Sequence, residues 1–214
     1  MPMPYAGAGH GEGMLCSIPM RLGLISDVHC NAAALRVALD RMGAVDELLC
    51  AGDVVYQYRF GEGGNEVCEI LRERRARVIL GNHDLILLGP QGGRARESAS
   101  VNPEMVDYLR SRPVLVDVEV AGRRLVMAHG SPFEPYDTYL YPTTPELKRL
   151  AEIDADYIIL GHTHYQMAER VGKALVINPG SVGEARDFRN GRRLSYAVLD
   201  VSSGELTFDD FEVP

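Results

Sequence analysis

The sequence predicts an α/β fold in which two sheets pack on each other with helices outside. Three observations carry this. Apolar runs of strand length alternate with helix-spaced segments through residues 21–80. From Met167 onward only strand patterns recur. Between them the pattern never breaks at a linker, so residues 20–214 read as one domain, at roughly 150 residues per domain. Residues 1–19, rich in Gly, Pro and Met, read as a flexible extension.

The elements follow in order. Arg21–Ser26 (RLGLIS) is a buried strand. Asn31 caps a helix whose apolar face is Leu35, Ala38, Leu39 and Met42, spaced i, i+3, i+4, i+7. Glu47–Ala51 (ELLCA) is a second strand. Asn65 is the expected cap of a helix carrying Val67, Ile70 and Leu71, with Glu66 and Glu69 favouring its N-terminal dipole. Arg77–Leu80 (RVIL) is a third strand. This β-α-β-α-β order implies a parallel sheet with right-handed crossovers.

Residues 89–101 read as a polar, Gly-rich loop. Asn102-Pro103 starts a short helix, with Pro at its first position. Val114–Val120 and Arg124–Ala128 form a hairpin around Ala121-Gly122-Arg123. Residues 130–143 read as a long loop. Thr144-Pro145 opens a helix with Leu147, Leu150 and Ala151 on one face. Tyr157–Leu160 (YIIL) is a buried strand. MAERV, ALVIN, LSYAVLDV and ELTFDDFEV complete the strands, with Glu184–Arg193 a charged loop among them.

Composition narrows the function classes. The chain has 22 Lys and Arg against 30 Asp and Glu, a formal charge of −8. That excludes a nucleic-acid binder working through a broad basic surface. It leaves room for an anionic substrate, because bound cations reverse the local sign. No run approaches the roughly 18 apolar residues of a membrane helix. The N-terminus lacks a basic n-region and a long apolar core. A cytoplasmic protein with Cys16, Cys30, Cys50 and Cys68 as reduced thiols is expected.

Five of the six histidines sit within three residues of Asp, Asn or Gly at predicted strand ends. The segments are Ser26-Asp27-Val28-His29-Cys30-Asn31, Ala51-Gly52-Asp53, Leu80-Gly81-Asn82-His83-Asp84, Met127-Ala128-His129-Gly130 and Leu160-Gly161-His162-Thr163-His164. Ligands of α/β sheets bind at the carboxyl ends of strands. Imidazole and carboxylate suit Zn, Mn, Fe or Ni. The D-x-H and H-x-H spacings turn alternate side chains to one side of an extended segment. Seven such ligands exceed the needs of one ion and fit two, with a carboxylate such as Asp53 able to bridge. Taken singly, a strand-end Asp is more often a turn residue. Five strand ends carrying the same residue types are not explained that way.

In these motifs the chain resembles the calcineurin-like metallophosphoesterase superfamily, and within it the small bacterial and archaeal phosphodiesterases without a large cap domain. Asp27-x-His29, Gly52-Asp53, Gly81-Asn82-His83-Asp84, His129-Gly130 and Gly161-His162-x-His164 stand in the family's order. Asn178-Pro-Gly-Ser181 before a charged loop is similar to that subgroup. The resemblance implies a four-layer α-β-β-α sandwich of two mixed sheets. It implies one metal on Asp27, His29, Asp53 and His164, and a second on Asp53, Asn82, His129 and His162. It leaves His83 to protonate the leaving oxygen or stabilise the transition state. Two divalent ions are implied, from Mn, Fe, Zn, Ni or Co, with Mn favoured.

The implied activity is hydrolysis of a small or nucleotide-like phosphodiester by a metal-bridging hydroxide. Asn31 and Arg186 are the expected substrate contacts, with Asn31 equally able to cap its helix. Asp84 is expected to cap a turn more than to orient His83. Tyr136, Tyr139 and Tyr141 can stack a base or form a homo-oligomer contact. Two departures bear on detail. Cys30 replaces a common Gly, and is expected to pack away from the site. Gly52-Asp53 continues as Val-Val-Tyr, not the Asp-Arg-Gly of protein phosphatases, which argues against a phosphoprotein substrate. The rival readings are a phosphomonoesterase or nucleotide pyrophosphatase with the same core, and a non-enzymatic scaffold such as the retromer subunit of this fold.

Overall fold

The computed structural model describes residues 20–213. The expected extension, residues 1–19, lies outside the described residues. Among the described residues ten strands form two five-stranded mixed sheets. The first joins β1 (Arg21–Ile25), β2 (Glu47–Cys50) and β3 (Arg77–Val78) in parallel, with β9 (Leu194–Asp200) antiparallel to β1 and β10 (Leu206–Phe211) antiparallel to β9. The second joins β5 (Arg123–Ala128), β6 (Tyr157–Ile159) and β8 (Ala174–Asn178) in parallel. It is flanked by antiparallel β4 (Leu115–Val120) and β7 (Met167–Val171).

Alternation along the strands separates the layers. Leu22, Leu24, Leu49 and Ile79 of the first sheet meet Leu125, Met127, Ile159 and Ile177 of the second in a dry core between them. Residues pointing the other way, Ile25, Leu48 and Cys50, pack under α1 (Ala32–Met42) and α2 (Gly61–Glu73). On the far face, Val126, Ile158 and Val176 pack against Leu147 and Leu150. The four-layer α-β-β-α sandwich is therefore present. Among the described residues no helix is long and apolar enough to cross a membrane.

α1 forms as its pattern requires. Asn31 Oδ1 accepts from Ala34 N–H at 3.1 Å, and Leu35, Ala38, Leu39 and Met42 are buried. α2 differs from expectation. It begins at Gly61, not after Asn65, and has no side-chain cap. Glycines normally weaken a helix start, but Gly63 is needed: a Cβ there would lie 2.5 Å from the Cys30 carbonyl. Asn65 instead ties the helix to a neighbouring loop, donating to Ser100 O at 2.7 Å and accepting from Asn102 N–H at 2.8 Å.

One unassigned segment forms a helix, and two further corrections follow it. Asn82–Leu88 forms α3, a seven-residue helix. Residues 89–101 are not all loop: a 3₁₀ turn at Pro90–Gly92 leads into α4 (Gly93–Arg96). Arg96 fastens that segment through the carbonyls of Leu87 and Gly89. The helix at Pro145–Glu152 is 3₁₀. Its three residues per turn bury Leu147 and Leu150 on one face and turn Ala151 outward. α5 (Pro103–Arg110) is as expected, capped by Asn102.

Candidate metal centre

All five motif segments leave the carboxyl ends of β1, β2, β3, β5 and β6, five of the six parallel strands of the two sheets. The sheets face each other, so the five ends converge at one edge of the sandwich. Close backbone approach makes this possible. A Cβ on Gly81 would stand 2.2 Å from Asp53 Oδ1, so only glycine lets the β3 loop lie against the β2 loop.

The backbone here is strained. Asp27, His29, Cys30, Asp53, His162 and His164 all have positive φ, between +49° and +68°. Each such residue costs about 1–2 kcal/mol, although Asp and His tolerate the region better than most. The surroundings hold them there. Asp27, His29 and Cys30 N–H donate to the carbonyls of Gly52, Asp53 and Val54, each at 3.0 Å. Asn178 and Ser181 brace the site from the second sheet: Asn178 Nδ2 donates to Gly161 O at 2.6 Å, and Ser181 Oγ to Asp27 O at 2.8 Å.

Asp27, His29, Asp53, His129, His162 and His164 are buried, and Asn82 joins them at the rim. His164 Nε2 lies 3.3 Å from Asp27 Oδ1 and 3.2 Å from His29 Nε2. His129 Nε2 lies 3.2 Å from Asp53 Oδ2 and 3.1 Å from Asn82 Oδ1. Potential ligand atoms of Asp27, His29 and His164 lie within 4.8 Å of one another, and so do those of Asp53, His129 and His162. Three imidazoles bond to backbone carbonyls through the outer nitrogen: His129 Nδ1 to Ala51 O (2.7 Å), His164 Nδ1 to Glu184 O (2.9 Å) and His162 Nε2 to Asp137 O (2.9 Å). Those bonds fix the ring and leave the inner nitrogen a lone pair, the usual support of a metal-ligating histidine.

Charge in the cluster is balanced by protons. Burial alone would raise the carboxyls of Asp27 and Asp53, but the surrounding histidines hold both below the usual range. Burial opposes protonation of His129, yet Asp53 lifts it to about 9. His164 is raised in the same way by Asp27. Burial pushes His29 down to about 4, and burial with the charge of His129 lowers His162. Asp27 Oδ1 and His29 Nδ1 are buried without a hydrogen-bond partner among the described residues. An orphaned carboxylate oxygen is costly, and here it faces three imidazole nitrogens at 3.3–3.9 Å. The donor set, the supported rings and the orphaned oxygen fit divalent cations.

His83 stands apart. Its backbone N–H donates to Asp53 Oδ1 at 2.8 Å, and its ring nitrogen Nε2 lies 4.0 Å from Asp53 Oδ2. Gln57 N–H donates to Nδ1 at 3.4 Å, which assigns the ring proton to Nε2. His83 can also be grouped with His29 and Asp53 as a ligand set. The proton on Nε2 favours a donor over a ligand.

The remaining expected residues are placed as follows. Both polar atoms of Asn31 are engaged, Oδ1 by the helix cap and Nδ2 by Gly183 O at 3.1 Å. Arg186 lies beside the cluster, bonded to Glu184 Oε2 at 2.8 Å. Asp84 caps the turn: its buried carboxylate accepts from the N–H groups of Gly81, Val54 and Val55 at 2.9–3.2 Å. Cys30 Sγ turns away to Arg59 O at 3.3 Å. Two neighbours had no motif to announce them. Glu184 Oε2 reaches 3.8 Å from His29 Nε2, and the Tyr56 ring stacks on His29 at 4.6 Å.

Comparison with known proteins agrees with this fold. An uncharacterized protein of Methanocaldococcus jannaschii, MJ0912, is 26% identical over 84% of this chain and 82% of its own length. The symmetrical bis(5'-nucleosyl)-tetraphosphatase of Sodalis glossinidius is 35% identical, but over half of this chain and 42% of that enzyme. The crystal structure of a metallophosphoesterase from Sphaerobacter thermophilus superposes with a TM-score of 0.74 at 27% identity, covering 91% of this chain and 89% of that one. The profile of the calcineurin-like phosphoesterase superfamily domain matches residues 20–204. The chain therefore belongs to the calcineurin-like phosphoesterase superfamily.

Proposed function

We propose that the chain is a metal-dependent phosphodiesterase hydrolysing a small or nucleotide-like phosphodiester. The observation that carries this is the orphaned Asp27 Oδ1, ringed by imidazoles whose outer nitrogens are already engaged. Asp27, His29, Asp53 and His164 would hold one ion. Asp53, Asn82, His129 and His162 would hold the other, with Asp53 shared. Mn is the first candidate; Fe, Zn, Ni and Co suit the same donors. When bound, such a pair makes water a nucleophile at neutral pH and neutralises phosphoryl charge.

The chain's own groups do the rest. His83 Nε2 sits at the rim of the cluster, where its side chain is 20% exposed and its N–H can donate a hydrogen bond to charge developing on a leaving oxygen. Glu184 holds Arg186 by one nitrogen, and the planar fork presents its other N–H groups to phosphoryl oxygens. A second reading is hydrolysis within a nucleoside polyphosphate, favoured by the half-chain similarity to bis(5'-nucleosyl)-tetraphosphatases.

The test is hydrolysis of bis(p-nitrophenyl) phosphate against p-nitrophenyl phosphate, with Mn²⁺ and then with chelator. Metal-dependent cleavage favouring the diester supports the proposal. Preference for the monoester moves the assignment to a monoesterase. Folded protein inert with every metal leaves the scaffold reading.

A further inference from the structure

Beside the cluster, past His162 and His164, lies a cleft of about 290 Å³ whose walls include Tyr139, Tyr141, Tyr165, Arg186, Phe188 and Arg189. We propose that this cleft is a nucleoside subsite, holding the base of a phosphoester whose phosphoryl group lies in the cluster. The inference rests on the phosphoesterase reading above and names the substrate group that the site selects.

The cleft and the cluster share a wall. The Tyr139 ring stacks on His162 with centroids 3.8 Å apart. Arg186 is bonded to Glu184, whose carbonyl takes the Nδ1 bond of His164. The Tyr139 and Tyr141 rings are parallel within 9°, and Tyr165 stands edge-on to Tyr141. Phe188 is 74% exposed and Tyr139 50%. A cluster of exposed aromatic surface marks a binding site more often than chance.

One side of the wall is fixed in advance. Asp187 is buried and accepts from Arg189 Nη2 at 2.7 Å, Arg189 N–H at 2.9 Å and Gln166 N–H at 3.2 Å. That holds the Arg189 guanidinium 3.3 Å from the centroid of the Tyr165 ring. Binding therefore does not have to order these side chains.

The chemistry selects the occupant. Aromatic faces accept a flat ring by stacking, while Arg186, held to Glu184 through one nitrogen, favours an anion attached to it. At the small end of ligand clefts, about 300–1,000 Å³, the space suits one ring system and not a polypeptide. A nucleoside phosphate offers the ring, the anion and hydrogen-bonding edges for the tyrosine hydroxyls. The groove on the opposite side shares Asn82 and His129 with the cluster, but its remaining walls, Leu85, Ile86, Val114 and Tyr136, carry no arginine or lysine and no stacked rings.

The experiment compares two diesters with the same leaving group, thymidine 5'-(p-nitrophenyl phosphate) and methyl p-nitrophenyl phosphate, using the full chain with Mn²⁺. The expected ratio of kcat/KM is about tenfold or more in favour of the nucleoside ester, the scale of one base–aromatic stack. In Tyr141→Leu and Tyr165→Leu the ratio falls toward one, and Tyr141→Phe retains most of it. A ratio near one in the unaltered protein, or one unmoved by both leucine variants, overturns the proposal.

A second readout needs no turnover. Calorimetry of adenosine 5'-monophosphate with chelator-treated protein, its fold checked by circular dichroism, should show saturable binding that Tyr141→Leu weakens about tenfold. Absence of binding overturns the subsite. If neither diester is cleaved, the phosphodiesterase reading fails, and calorimetry alone decides the cleft.

Discussion

His129 and Asp53 meet at 3.2 Å across the junction of the two sheets. His129 follows β5 of the second sheet, and Asp53 follows β2 of the first. Neither sheet alone brings its motifs to completion. The sandwich exists, in functional terms, to hold these two strand ends against each other.

Asp53 is the group that both proposed ligand sets share. Asp53→Asn should lower metal content at both positions together, and reduce diester hydrolysis by about 100-fold or more. Elemental analysis of the purified variant checks this. Loss of one ion with full retention of the other contradicts the shared role.

His83 is assigned a proton, not an ion. His83→Ala should keep the metal content of the unaltered protein and lower kcat by about 10²–10⁴-fold for a poor leaving group. The loss should shrink for p-nitrophenolate, whose departing oxygen carries less charge for that N–H to stabilise. Metal loss in this variant would instead place His83 among the ligands.

Asp84 joins two motif loops from behind. Its carboxylate is raised to about 7, by burial and then by the charge of Asp53, yet it accepts three backbone N–H bonds. Asp84→Ala leaves those donors buried and unpaired, at about 1–3 kcal/mol each. A loss of about 3 kcal/mol or more in denaturant unfolding is expected, along with weakened metal binding. A change under 1 kcal/mol would show that water replaces the carboxylate.

Asp187 gives a pH-dependent expectation outside the cluster. Burial opposes its ionisation, but hydrogen bonds from Arg189 win and lower its carboxyl below the ordinary 3.8. A depressed carboxyl contributes stability that is present above the unfolded value and lost as pH falls through the folded one. Asp187→Asn should therefore cost about 1–3 kcal/mol at pH 7. The gap from the unaltered protein should close below about pH 4. A gap independent of pH would mean that packing, not ionisation, is what Asp187 supplies.

Much of the site was legible because each motif joins an apolar strand to a ligand-type residue, and both signals are local. The strand ends at Asp27, Asp53, His129 and His162 needed only the rule that ligands gather at carboxyl ends. What stayed hidden depends on contacts between distant segments. α2 starts at Gly61, and its Gly63 is required by the close approach of the Cys30 carbonyl, which no propensity reports. α3 is seven residues long, and its apolar run shows no helical face to read. Among the three residues expected on the apolar face of Pro145–Glu152, the 3₁₀ form changes only Ala151, which turns outward. Glu184 and Tyr56 reach the cluster from loops without a motif, so only the folded chain places them beside His29.

The most direct measurement is a titration of Mn²⁺ into chelator-stripped protein, following bound ions and bis(p-nitrophenyl) phosphate hydrolysis together. Two ions should bind per chain, with hydrolysis appearing as the pair fills and vanishing when chelator is restored. Folded protein that binds two ions without hydrolysing the diester, or hydrolysis that chelator leaves untouched, would contradict the account.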